Sequence, residues 1–227
     1  YLRIMKRKLI ITNDGSSSIF IPEMDETYHS SHGALQEAVH VFIKNGLNAI
    51  DKKEIAIFEL GFGTGLNALL TLEASRNKEI QIDYTGIEAF PVEHELINSL
   101  NYTSLIAGDF ENDFLKMHDI SWDESHAIAK QFSLKKIHAK IQEVNIGVSQ
   151  FDLIYFDAFG YRAQAEMWDV GIIQQMYDAL KEGGVLVSYA ARGQFKRDLK
   201  AVGFKIEALP GPPGKREMTR ATKGSNQ

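Results

Sequence analysis

Three acidic residues and one run of glycines carry the most chemistry in this chain. Glu59-Leu-Gly61-Phe62-Gly63-Thr64-Gly65-Leu-Asn67 follows an apolar run at 55–60 and opens a helical pattern over 65–75. Glycines let a backbone turn tightly and approach a ligand, and the helix behind them offers unpaired N–H groups with partial positive charge. The spacing is G-x-G-x-G with an acid two residues ahead, not the G-x-G-x-x-G of a dinucleotide fingerprint. Taken alone, such a turn also suits plain packing of helix on strand. Glu88 closes the next apolar run, 23 residues after Gly65, where a carboxylate can accept hydrogen bonds from both hydroxyls of a ribose. Helix capping is its structural alternative. Asp157 ends Phe-Asp-Leu-Ile-Tyr-Phe-Asp at 151–157. Ligands of open α/β sheets gather at the carboxyl ends of strands, so Asp157 is expected at a reacting centre, with a turn cap as the alternative.

The elements that must position these groups are legible from periodicity. Residues 7–12 and 18–22 flank Asn13-Asp14-Gly15-Ser16-Ser17, a β-hairpin signal. Leu35, Ala38, Val39 and Phe42 recur at helical spacing from Ala34 to Ile43, stopping at Asn45-Gly46. Residues 1–50 therefore read as a hairpin and helix cap, with Met5 expected as the natural start. Over 51–227 short apolar runs alternate with helical patterns: strands 55–60, 80–87, 151–157, 184–189 and 203–209, and helices 65–75, 92–100, 168–180 and 194–201. That alternation predicts an α/β fold with a mostly parallel sheet. Pro210-Gly-Pro-Pro-Gly214 separates the last two runs, which suits an antiparallel C-terminal edge. Two placements compete for the missing strand, Leu105–Asp109 and Gln131–His138; the second leaves a normal short crossover to 151. It makes 103–130, including Trp122, a helical insertion.

Composition narrows the function classes. The 227 residues are 44% hydrophobic and 24% charged, as in globular domains, with no cysteine. Thiolate catalysis, disulfides and cysteine-ligated metals are excluded, and a reducing cytoplasmic setting is expected. No apolar run approaches the ~18 residues of a membrane span, and the first residues lack a signal-peptide core. The seven histidines form no convincing ligand pair, so no metal is expected. Net charge is −5, yet residues 191–227 hold nine Lys/Arg against three acids, a net of +6. A basic C-terminal face on an acidic body can meet phosphates locally; solvated surface charge is the plain alternative. The sequence carries no signature of oligomeric state.

Beyond these local readings, the glycine motif resembles motif one of class I S-adenosylmethionine methyltransferases. Asp157-Ala-Phe-Gly-Tyr-Arg-Ala-Gln-Ala-Glu-Met-Trp168 resembles the D-[AG]-F-A-P-A-K-N-P-[DE]-M-W segment in the methyltransferase half of the bifunctional 5-methylaminomethyl-2-thiouridine tRNA biosynthesis proteins. The likeness extends to Glu26-Thr-Tyr28-His-Ser-Ser-His-Gly33 with Glu37, and to Gly214-Lys-Arg-Glu-Met218, in the same order. Tyr161, Ala163 and Ala165 stand where that family has Pro, Lys and Pro, with Arg162 as a displaced positive charge, and the adenine-side acid is replaced. The resemblance implies a Rossmann-like methyltransferase domain over 51–227, standing alone without the flavin-dependent half. It implies S-adenosyl-L-methionine as cofactor and methyl transfer to the aminomethyl group of 5-aminomethyl(-2-thio)uridine at the wobble position. The partner it implies is a tRNA anticodon stem-loop. Glu59 would serve the methionine ammonium, the glycines with Phe62, Thr64 and Asn67 the ribose and carboxypropyl chain, and Glu88 the ribose hydroxyls. Ile137 and His138 would flank adenine, and Tyr28 would close over cofactor or base. Asp157 would orient and deprotonate the amine. Arg162 would stand near the target nucleotide, with Lys215 and Arg216 at RNA phosphate. A methyltransferase for a small-molecule or protein amine shares every cofactor residue, and a non-catalytic nucleotide-binding module shares the glycine turn.

Overall fold

Phe151–Phe156 is buried at all six positions, so this strand needs cover on both faces and organises the sheet around itself. The computed structural model describes residues 6–224; Met5, the expected start, lies outside the described residues. In chain order the elements begin with β1 (Lys8–Ile11), β2 (Ser17–Ile21) and β3 (Glu26–Thr27), a small antiparallel sheet. Helix α1 (Ala34–Ala38) runs on into a wider turn over Val39–Lys44. Next come β4 (Glu54–Leu60), α2 (Leu66–Lys78), β5 (Gln81–Glu88), α3 (His94–Ile97), α4 (Tyr102–Leu105) and α5 (Glu111–Asp119). They are followed by β6 (Ser125–Ala129), β7 (Phe132–His138), β8 (Phe151–Phe156), α6 (Val170–Ala179), β9 (Leu180–Ser188), α7 (Gly193–Val202), β10 (Phe204–Pro210) and β11 (Glu217–Lys223).

The main sheet has eight strands in the order β10-β11-β9-β8-β4-β5-β7-β6. The core strands β9, β8, β4, β5 and β7 are parallel. The chain steps from β4 outward through β5 to β7, then returns to β8 on the other side of β4. The gap between the carboxyl ends of β4 and β8 is thus the topological switch point, where open sheets place ligands. Apolar side chains on the two faces form separate clusters, one under α2 and the N-terminal cap, the other under α6 and α7. Ile19, Ala34, Val41 and Phe42 of the first fifty residues belong to the first cluster, so the cap shares its core with the sheet.

The α/β class and the N-terminal hairpin are as expected. Asp14 closes the hairpin turn, accepting from the Ser16 N–H at 3.0 Å, and Gly15 takes a positive φ. At the C-terminal edge the antiparallel strand β11 lies one place inside, between β9 and β10. The stretch 103–130, expected to be a helical insertion, is helical only in α4 and α5, the second ending at Asp119. Ser125–Ala129 instead pairs antiparallel with β7 across the tight turn Lys130–Gln131 and bulges between Ala127 and Ala129. Pairing covers the edge of β7, and neither turn residue is a glycine or asparagine that would have signalled a hairpin. The 92–100 helix shrinks to the single turn of α3. Among the described residues no helix is long and apolar enough to cross a membrane, and no cluster of acidic or histidine residues could hold a metal.

Candidate active site

The glycine turn is dictated by how close β4 and β8 lie. Gly61 has φ +92° and a Cβ there would stand 2.7 Å from the Asp157 carbonyl oxygen, so any side chain would push the two strand ends apart. Gly63 and Gly65 also take positive φ, and Gly65 sits at the N-cap of α2. The Gly65 conformation turns the chain into the helix, leaving the first N–H groups of α2 facing the turn. Glu88 ties the turn to β5: its carboxylate accepts from the Gly63 N–H at 3.0 Å and from the Phe90 N–H at 2.8 Å. Below the loop, the Tyr102 hydroxyl donates to Thr64 at 3.1 Å. Burial holds the neighbouring His29 down at about 4, hence neutral at pH 7.

Beneath the turn runs a chain of three polar side chains. Asn67, on the first turn of α2, donates from Nδ2 to Glu59 Oε1 and to Asp157 Oδ2, each at 2.8 Å. Glu59 is buried, and its Oε2 has no hydrogen-bond partner; neither has Asn67 Oδ1. Burial, reinforced by the Asp157 charge, pushes the Glu59 carboxyl well above the usual carboxylate range despite the Asn67 bond. Asp157 is raised to about 7, first by burial and then by Glu37, while Asn67 and Lys215 pull the other way. Two carboxyls that repel each other are thus held together by one amide.

Asn67 and Asp157 border a cavity of about 790 Å³ that also touches the N-terminal cap, whereas Glu59 and Gly65 lie behind its lining. Its lining includes Tyr28, Gly61, Phe62, Gly63, Thr64, Asn67, Glu88, Asp157 and Lys215 from the sequence-derived set. Tyr28 packs edge-on to Phe159 with ring centroids 5.0 Å apart, so the cap and the loop after β8 meet over the opening. Lys215 turns inward: its ammonium pairs with Glu37 and lies 3.8 Å from the centre of the Tyr189 ring. Arg216 is 92% exposed and Arg162 is exposed on the surface, and neither lines this cavity. Ile137 and His138 do not line it either. Ile137 packs into the second core cluster, and His138 is exposed against Trp122 at 5.2 Å. The following residues, Ala139 to Glu143, supply that wall instead.

Two contributors went unnoticed in the sequence. Arg7, from the strand-leading segment of the hairpin, donates to the Phe90 and Pro91 carbonyls and pairs with Glu93, tying the cap to the loop after β5. Nothing in its local sequence marks it. Tyr189, directly after β9, donates to the Ala158 carbonyl at 2.8 Å; its place at the carboxyl end of a parallel strand was the available signal.

The pocket suits a cationic, ribose-bearing ligand. Asp157 offers a carboxylate to the cavity from the end of β8, Glu88 offers a second from the end of β5, and Gly61 between the strand ends admits no side chain. The sequence profile of the S-adenosyl-L-methionine-dependent methyltransferases matches residues 103–224. The chain is 29% identical to the tRNA 5-methylaminomethyl-2-thiouridine biosynthesis bifunctional protein MnmC of Cupriavidus metallidurans, over 93% of this chain and 33% of that protein. It is 30% identical to the same-named protein of Leptospira interrogans, over 86% of this chain and 32% of that one. The chain thus spans about a third of the length of these curated relatives. The crystal structure of MnmC2 from Aquifex aeolicus superposes with a TM-score of 0.75 at 21% identity, covering 99% of this chain and 73% of that one. With the profile matched over more than half its residues, the chain belongs to the S-adenosyl-L-methionine-dependent methyltransferases.

Proposed function

We propose that this methyltransferase acts on the aminomethyl group of 5-aminomethyl(-2-thio)uridine at the wobble position of tRNA, in the cytoplasm. Residues 1–50 would cap the domain formed by 51–227. The observation that carries the reading is Asp157, raised to about 7 in the cavity that also holds the glycine turn and Lys215. The named activity of the MnmC relatives supplies the substrate class.

S-adenosyl-L-methionine brings a methyl group already activated on a sulfonium, so the protein's task is alignment and proton handling. Glu59, behind the lining, would serve the ammonium end indirectly, by holding the Asn67 side chain that does line the cavity. Glu88 would accept from the ribose hydroxyls, and the wall from Ala139 to Glu143 takes the adenine-side role first assigned to Ile137 and His138. Asn67 engages Asp157 Oδ2, leaving Oδ1 for an N–H of the acceptor amine. A primary amine is mostly protonated at pH 7, and a carboxylate titrating near 7 is suited to take its proton and free the lone pair. As the methyl moves from sulfur to this nitrogen the C–S bond would break and the donor would leave as the uncharged thioether; the methylated amine would keep its two remaining protons as an ammonium, and Asp157 would pass the proton that it took to solvent. Tyr28 and Phe159 would close over the base and exclude water. Arg216 and Arg162 would meet phosphate on the approach surface.

Labelled S-adenosyl-L-methionine incubated with tRNA bearing aminomethyluridine, followed by nucleoside mass analysis, tests the reading. Label on the methylated wobble nucleoside is expected. Label that stays off tRNA and appears on a small amine overturns it.

A further inference from the structure

A second cavity, of about 420 Å³, opens beside the first and shares Gly160, Tyr189 and Lys215 with it as a common wall. The cofactor chemistry does not use it. Its outer side is built from the loop after β8 and the start of α7. Tyr161 is 46% exposed there, with the Arg192 guanidinium 3.9 Å from its ring centre. Trp168 forms part of the floor, its indole N–H fixed on the Phe159 carbonyl at 2.9 Å. Charge on the lining comes from Arg192, Lys215 and Arg216 against Asp198 and Glu217. Asp198 accepts from Gln194 and Glu217 is held by Lys196, so both acids are engaged. Lys215 is spent on Glu37, which leaves Arg192 and Arg216, both exposed, as the lining cations with donors facing solvent, although Arg216 Nε also lies 3.7 Å from Glu217.

We infer that this cavity is a subsite for the nucleotide next to the target uridine, its base stacked on Tyr161 and its phosphate met by Arg192 and Arg216. Three observations converge on that occupant. The volume falls within the roughly 300–1,000 Å³ of small-ligand sites. Unstacked bases of single-stranded RNA stack on aromatic rings and on guanidinium planes, and Tyr161 and Arg192 present both on the exposed side of this cavity. The shared wall means that a strand delivering one base to Asp157 must pass its neighbour over Gly160. Tyr161 stands where the MnmC-like segment has proline, so the stacking surface is this chain's own feature.

The inference rests on the tRNA reading, and its test separates the two. Methyl transfer and fluorescence-anisotropy binding are measured on an anticodon stem-loop carrying aminomethyluridine. Versions abasic at the 5′ or at the 3′ neighbour are run beside it, with wild type, Tyr161→Ala and Tyr161→Phe. Loss of one stacked base corresponds to about a tenfold rise in KM and Kd. Tyr161→Ala is expected to show that rise on the intact loop, and Tyr161→Phe to stay close to wild type. One abasic loop is expected to weaken wild type equally, with Tyr161→Ala adding less than twofold on it. Methylation of the intact loop with no dependence on Tyr161, or penalties that multiply on both abasic loops, overturns the subsite and leaves the tRNA reading standing. Binding that depends on Tyr161 without methylation overturns the tRNA reading, and with it the place beside a target uridine, and leaves Tyr161 only as a surface on which an RNA base stacks.

Discussion

Replacing Asn67 by alanine tests the acid chain most directly, because one amide serves both carboxyls. Its bond to Asp157 favours the ionised form, so removing it must raise the Asp157 pKa above its present value of about 7. A hydrogen bond to a charged group is worth about 1.5–3 kcal/mol, and one pKa unit corresponds to about 1.4 kcal/mol, which gives an upward shift of roughly 1–2 units. At pH 7 the ionised share of Asp157 then falls from about half to between roughly 10% and 1%, a loss of about 5- to 50-fold in kcat/KM. The loss is pH-dependent: raising the pH to about 9 recovers most of the activity as the carboxyl ionises again. The assay is the pH profile of kcat/KM for methyl transfer under single-turnover control, with cofactor binding and a thermal melt to verify that the variant is folded. An acid limb that stays where it is in the wild type, or a loss of equal size at every pH, refutes the assignment of Asn67 to the tuning of Asp157.

Other expectations follow from the same geometry. Asp157→Asn should cut turnover by at least about 100-fold while cofactor affinity, measured calorimetrically, changes little. The same variant tests the pH dependence of stability. A carboxyl raised from 3.8 to about 7 by folding contributes stability below its unfolded pKa that is lost as pH climbs through 7. Wild type should therefore lose Tm between about pH 4 and 8, and Asp157→Asn should flatten that slope and melt several degrees higher at pH 8. Gly61→Ala places a Cβ 2.7 Å from the Asp157 carbonyl in a positive-φ conformation, so a destabilisation of about 2–4 kcal/mol is expected in chemical denaturation. Glu88→Gln should raise the cofactor Kd about tenfold or more, read by titration, because the ribose loses a charged acceptor. Arg216, 92% exposed, should contribute through charge alone: Arg216→Ala should lower the slope of log KM for tRNA against log salt by about 1.

The strand–turn–helix around Gly61, Gly63 and Gly65, the acids closing β4, β5 and β8, and the alternation of strands with helices were all readable from the chain. Each depends on nearest neighbours: a positive φ that only glycine adopts cheaply, an apolar run that must be covered, a helix start after a turn. Long-range assembly decided the rest. Asn67 meets Asp157 from 90 residues away because β4 and β8 are adjacent at the switch point, and no local pattern carries that distance. The pKa values of Glu59 and Asp157 belong to that juxtaposition and to burial. Neither residue type nor spacing encodes them. Pairing register likewise kept Ile137 and His138 out of the cavity lining. Ile137 lies level with Ile87 and His138 with Glu88, and the pleat sends Ile137 into the core and His138 toward Trp122. Lys215 was legible as a cation, but only the folded chain brings it against Glu37, 178 residues away, and so turns a presumed surface charge into part of the cavity wall.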